Sequence, residues 1–276
     1  MSYTYSLAHL TALDLAPPEL TYTAAKAGYD YVSIRPIYMG LPNEPNYDLA
    51  NKKEMFRATR KALQETEIEL LDIELAKISD GTNPSDYEPA FHVAAELGGK
   101  HVLSSIWTDD FVFAKECFAE LCDLAKPYGL TVELEFVPIA SVSTLQGAVE
   151  VLKSANRSNA GLMIDAHHFH RSRDRVEDLD SIPKEWFRYF HLCDAIGQIP
   201  EDREEMTRIV REERLYIGEG GTNVGEILKR IPEVPLSLEM PHKARSKELG
   251  NEEFVRRCLQ SAKAFIASIK TEAHKN

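Results

Sequence analysis

LTVELEFVPIASVSTLQGAVEVLKSANRSNAGLMIDAHHFH, residues 130–170, reads as strand, helix, strand. LTVELEFV (130–137) and AGLMIDA (160–166) are short, nearly continuous apolar runs, as expected of strands covered on both faces. Between them STLQGAVEVLKSA (143–155) spaces its apolar residues by three and four, the pattern of an amphipathic helix. A helix joining two such strands makes them parallel neighbours. Each strand closes on an acid, Glu135 in the first and Asp165 in the second.

The same rhythm recurs on both sides. Upstream lie YSLAHL (5–10), YDYVSIR (29–35), ELLDIELAK (69–77) and KHVLSSIW (100–107); downstream come FRYFHLC (187–193) and PLSLEM (235–240). That gives eight strands. Amphipathic helices are predicted at 17–28, 51–67, 85–99, 109–129, 222–231 and 251–270, with Pro17 and Pro18 opening the first and Gly28 closing it. The segment 176–186 is the least regular connection. Eight such units predict an α/β fold closed as a single (β/α)8 TIM barrel over residues 1–276. An open doubly wound sheet would call for a glycine-rich turn after the first strand, and none follows it.

Composition narrows the function. The 276 residues are 43% hydrophobic and 28% charged, with 44 acids against 32 Lys and Arg for a net charge of −12. No dense basic run offers a duplex its phosphate contacts, so no nucleic-acid partner is expected. No apolar stretch is long enough to cross a membrane, and the N-terminus lacks a signal-peptide pattern. Cys117, Cys122, Cys193 and Cys258 show no C-x-x-C spacing, and they read as buried reduced thiols of a cytoplasmic protein.

Strand ends carry the chemistry of a barrel, because loops at its C-terminal face surround one mouth. Glu135, Asp165, His191 in FRYFHLC and Glu239 in PLSLEM all occupy such ends, on strands five to eight. Three carboxylates and an imidazole suit one divalent ion: Mn²⁺, Mg²⁺, Co²⁺ or Zn²⁺. Taken singly, a strand-end Glu is an ordinary solvated carboxylate, His191 a core histidine and Asp165 a helix N-cap. Four together in matching register argue for a metal site. His168, three residues beyond Asp165, reaches the same pocket; Arg214 precedes a glycine turn at Gly218, Gly220 and Gly221; Trp107 ends strand four. These three are the expected substrate contacts. His167 and His170 are weaker candidates. Asp194 reads as orienting the site or pairing with a Lys or Arg.

LEF (134–136), IDAHHFHRS (164–172), FHLCD (190–194), RLYIGEG (214–220) and SLEM (237–240) stand in the order seen in the xylose isomerase-like TIM-barrel superfamily, also called AP endonuclease family 2. The chain resembles that family over nearly its whole length. The resemblance implies one divalent metal on Glu135, Asp165, His191 and Glu239, with His168 and Arg214 on substrate. The DNA-repair branch, resembling endonuclease IV, needs three zinc ions and a D-R-H sequence before its glycine turn. Here Glu212, Glu213 and Arg214 stand in that place, and the SIRP and SSIWT strand ends carry no histidine.

The expected reaction is metal-dependent sugar isomerisation or epimerisation, with Glu135 and Glu239 moving a proton beside a carbonyl and the metal stabilising the enediolate. A dehydratase of inosose or 3-dehydroshikimate type would share that proton abstraction. A barrel that binds a ligand without catalysis is the third reading. Arg35, Lys77, Arg171, Arg173, Lys243 and Arg245 also lie near strand ends without forming a phosphate motif. The substrate expected is therefore an unphosphorylated sugar, cyclitol or keto acid. The amphipathic face of 251–270 would also serve a homo-oligomer.

Overall fold

A computed structural model describes residues 3–40 and 44–273. Eight parallel strands close on themselves in sequence order: β1 Tyr5–Leu7, β2 Tyr31–Ile34, β3 Glu69–Ile78, β4 His101–Ile106, β5 Thr131–Glu135, β6 Ala160–Asp165, β7 Phe190–Leu192 and β8 Leu236–Leu238. The (β/α)8 barrel expected from the strand rhythm is the fold. The expected span 1–276 runs past the described residues at both ends, and residues 41–43 also lie outside them.

The predicted helices form at Pro17–Ala27, Lys53–Thr66, Glu88–Glu96, Phe111–Ala125, Leu145–Ala155, Val224–Leu228 and Asn251–Ala273. Local chemistry sets their ends. Asp110 and Thr144 cap the fourth and fifth of these through side-chain oxygens, and Gly28 ends the first in the left-handed conformation at φ 90°. The helix Ala166–Arg171 follows the N-cap reading of Asp165, and two further helices were not expected: Arg203–Glu212 and Lys243–Leu249. The irregular segment 176–186 forms two 3-10 turns. Among the described residues, no helix is long and apolar enough to cross a membrane.

The main core lies between sheet and helices, where outward strand residues such as Leu7, Ile34, Val132 and Leu238 meet Leu20, Phe91, Phe118 and Leu121. Burying each such side chain contributes about 1.5–3 kcal/mol. Inside the barrel the filling is different. A small apolar layer of Leu71, Leu103, Met163 and Tyr189 shares the lumen with Ser6, Ser33, Asp72 and Ser237, whose hydroxyls and carboxylate bond one another. Strand alternation turns Glu133 and Glu135 inward, as their shared parity predicts. All four cysteines are buried and free.

Candidate metal centre

The register aligns Asp165 with His191, and His191 with Ser237, so the ends of β6, β7 and β8 lie side by side. Around the ring Nδ1 of His191 stand three carboxylate oxygens: Glu239 Oε2 at 3.5 Å, Glu135 Oε1 at 3.6 Å and Asp165 Oδ2 at 3.7 Å. All four residues are buried. Those separations are long for hydrogen bonds and right for donors around one ion. Coordination bonds of about 2.0–2.2 Å set ligand atoms roughly 3–3.6 Å apart at octahedral to tetrahedral angles. Among the described residues, Glu135 Oε1 and both ring nitrogens of His191 have no hydrogen-bond partner, although buried polar atoms normally do. The donor set fits a divalent cation.

Arg214 is only 1% exposed and reaches the same cluster from behind. It pairs with Asp165 Oδ2 through Nη1 and with Glu239 Oε2 at 2.9 Å through Nη2. Its Nε donates to the Val210 carbonyl at 3.0 Å. Three carboxylates against one guanidinium leave two negative charges when His191 is neutral, which a dication would balance. Burial opposes ionisation of Asp165 and Glu239, yet Arg214 and the imidazoles hold both below the usual carboxylate range. Burial likewise opposes charge on His191, and Glu239 with its fellow carboxylates overrides it, holding the imidazole well above its usual range.

Asp165 serves two structures at once. Its Oδ1 accepts the His168 amide at 3.0 Å and caps the short helix Ala166–Arg171, while its Oδ2 faces the cluster. The N-cap is formed through one oxygen, and the other is turned to the cluster. That helix start aims the His168 ring into the mouth, with Nε2 4.0 Å from Glu135 Oε1. His167 is buried behind it with neither ring nitrogen bonded; His170 bonds Arg171 instead. Asp194 neither faces the cluster nor pairs with a cation. It accepts the amides of Gly218, Gly220 and Thr222, so it shapes the turn that follows Arg214. A Cβ on Gly220 would lie 2.2 Å from the Ala195 carbonyl, which explains the glycine there.

A cavity of about 510 Å³ opens above the cluster, lined among others by Glu135, His168, Arg214, Glu239, Arg35, Lys77 and Trp107. The Trp107 indole donates to Ser105 Oγ at 2.8 Å, and the Lys77 ammonium sits 4.8 Å from its ring centroid. All seven residues singled out in the sequence thus line or underlie one mouth.

Two groups beside it were not foreseen. Glu74 on β3 is fully buried, bonded by Arg35 Nε at 2.7 Å, with Oε1 unpartnered. Its ligand atom lies within 4.8 Å of those of His191 and Glu239. Asp72 lies on the same strand and accepts a hydrogen bond from Ser33. Two acids spaced by two in ELLDIELAK are the signal that would have found them, just as in TVELE.

The sequence profile described as xylose isomerase-like TIM barrel matches residues 22–260. The chain is similar to an inosose isomerase of Bacillus velezensis, 24% identical over 262 residues, covering 88% of this chain and 89% of that protein. Among solved structures it is similar to the IolI protein with a bound zinc atom, at a TM-score of 0.75 and 21% identity over 98% of each chain. It is also similar to D-allulose 3-epimerase from a Methylomonas species in complex with D-allulose. That match has a TM-score of 0.70 and 18% identity, and covers 95% of this chain and 96% of the other. At such identities the two structures speak to the fold alone.

Proposed function

The chain belongs to the xylose isomerase-like TIM barrel family, and from that premise we propose that it is a divalent-metal-dependent isomerase or epimerase of a sugar or cyclitol. The observation that carries this reading is the convergence of Glu135, Asp165, Glu239 and His191 on one point beneath a cavity large enough for a small polar substrate. The curated relative named an inosose isomerase supports the cyclitol class. Four buried, unpaired thiols suit a reducing compartment such as the cytoplasm.

Glu135, Asp165, His191 and Glu239 would hold the ion, which supplies Lewis-acid polarisation of a substrate carbonyl when bound. Glu135 and Glu239 approach the cavity from β5 and from the end of β8. In this reading they take and return the proton on the carbon beside the carbonyl, one from each side. Arg214 keeps Glu239 ionised and so able to accept a proton. His168 donates to a substrate oxygen where negative charge develops, and Trp107 lines the same cavity.

The test is incubation of manganese-loaded protein with inososes and ketoses in deuterated water. Deuterium entering the recovered sugar beside its carbonyl, without loss of water, supports the assignment. A growing conjugated-enone absorbance assigns a dehydratase instead. No exchange with any of them leaves the ligand-binding barrel as the reading.

A further inference from the structure

At the ends of β2 and β3 stand two cations, Arg35 and Lys77, and their environments differ. The Arg35 guanidinium is paired with Glu74, and its backbone amide donates to His9 Nδ1 at 2.9 Å. Three cations line the cavity away from its exposed rim: Arg35, Lys77 and Arg214. Arg35 and Arg214 each have carboxylate partners. Among the described residues, Lys77 has none within ion-pair distance.

Lys77 is nevertheless positioned. Its backbone carbonyl accepts the Tyr87 hydroxyl at 2.5 Å, and its ammonium lies over the Trp107 ring, which Ser105 fixes through the indole N–H. Indole supplies a π-face and no counter-charge. A half-buried ammonium held that way in a polar cavity keeps its donors available to whatever fills the space. A lysine of this kind acts as a point charge toward carboxylate or phosphate oxygens.

We infer that Lys77 reads an oxyanion, carboxylate or phosphate, carried by the substrate. Within the sugar or cyclitol class, the substrate is thereby narrowed to one that carries a carboxylate or a phosphate group. The inference rests on the isomerase reading for the class of substrate but not for its test.

Calorimetry on the manganese-loaded full chain compares ribitol, ribonate and ribitol 5-phosphate, three open-chain polyols differing at one end. The charged pair should bind about tenfold more tightly than ribitol, roughly 1.4 kcal/mol. That advantage should vanish in Lys77→Met, which keeps the aliphatic cover on Trp107, and persist in Lys77→Arg. Which of the two anions gains more identifies the source of the oxyanion. Equal binding of all three, no binding of the charged pair, or an advantage that survives in Lys77→Met overturns the inference. Binding is read without turnover, so its failure is separate from failure of the deuterium-exchange test.

Discussion

Glu133 and Glu135 stand two residues apart on β5, both inward and both buried, and the chain treats them in opposite ways. Glu133 lies a layer below the mouth, where Thr131 Oγ1 donates to it at 2.6 Å and Arg188 Nη1 reaches both its oxygens at 3.2 and 3.3 Å. His101 stands 3.6 Å away and stacks on Tyr189. Even β6 makes room for this pair. A Cβ on Gly161 would fall 1.7 Å from Glu133 Oε2 and 2.2 Å from Arg188 Nη1. Glu135 receives no such provision, and its Oε1 is left unpartnered beside a cavity. On β5, the acid that the protein itself satisfies lies in the barrel's floor, and the one with an unpartnered oxygen faces the proposed site.

The comparison breaks most visibly through matched substitutions. Glu135→Gln and Glu239→Gln each remove a proposed proton carrier and metal ligand, and turnover should fall by about 10²–10⁴-fold. Thermal melting should stay near wild type, because each change removes a carboxylate from a cluster crowded with them. Full activity in both variants would defeat the proton-transfer roles. Arg188→Met at the floor should do the reverse. Above about pH 7, where Glu133 is ionised, it leaves that carboxylate buried without its cation, costing about 3 kcal/mol in denaturant titration, with kcat per folded molecule retained. A large kcat loss there would mean that floor and mouth are coupled.

How much of this was legible in the chain follows from distance along it. Each candidate ligand on β5–β8 sits at the end of its own apolar run, so strand alternation alone predicts both its depth and its face. Arg214 finds its partners 49 and 25 residues away, at Asp165 and Glu239. No local pattern reports such a meeting, and the sequence pointed only to a substrate contact. Asp194 is similar, since its bonds to the 218–222 turn arise only once β7 and that turn are adjacent. The helix Arg203–Glu212 did carry a signal, with Asp202 capping it and acids at Glu204 and Glu205. Three apolar residues among charges, Met206, Ile209 and Val210, left its periodicity faint. Asp72 and Glu74 were hidden differently, inside a run whose leucines and isoleucines suffice to call a strand.

The smallest effect sharpens the contrast through pH. Burial pushes the Glu133 carboxyl up to about 7 despite Arg188 and Thr131, which pull the other way. Its ordinary value is 4.5. The folded protein therefore holds a proton that the unfolded chain has already released. The stability this contributes is complete below about pH 4.5 and is lost as pH rises through about 7. Glu133→Gln has no proton to lose. Its unfolding free energy, measured by denaturant titration across that window, should fall less steeply with pH than wild type, by up to about 1.4 kcal/mol per pH unit. Its turnover should match wild type, whereas the same substitution two residues later should lower it by about 10²–10⁴-fold. Identical slopes in variant and wild type would show that Arg188 keeps Glu133 ionised throughout, making the floor an ion pair of fixed charge.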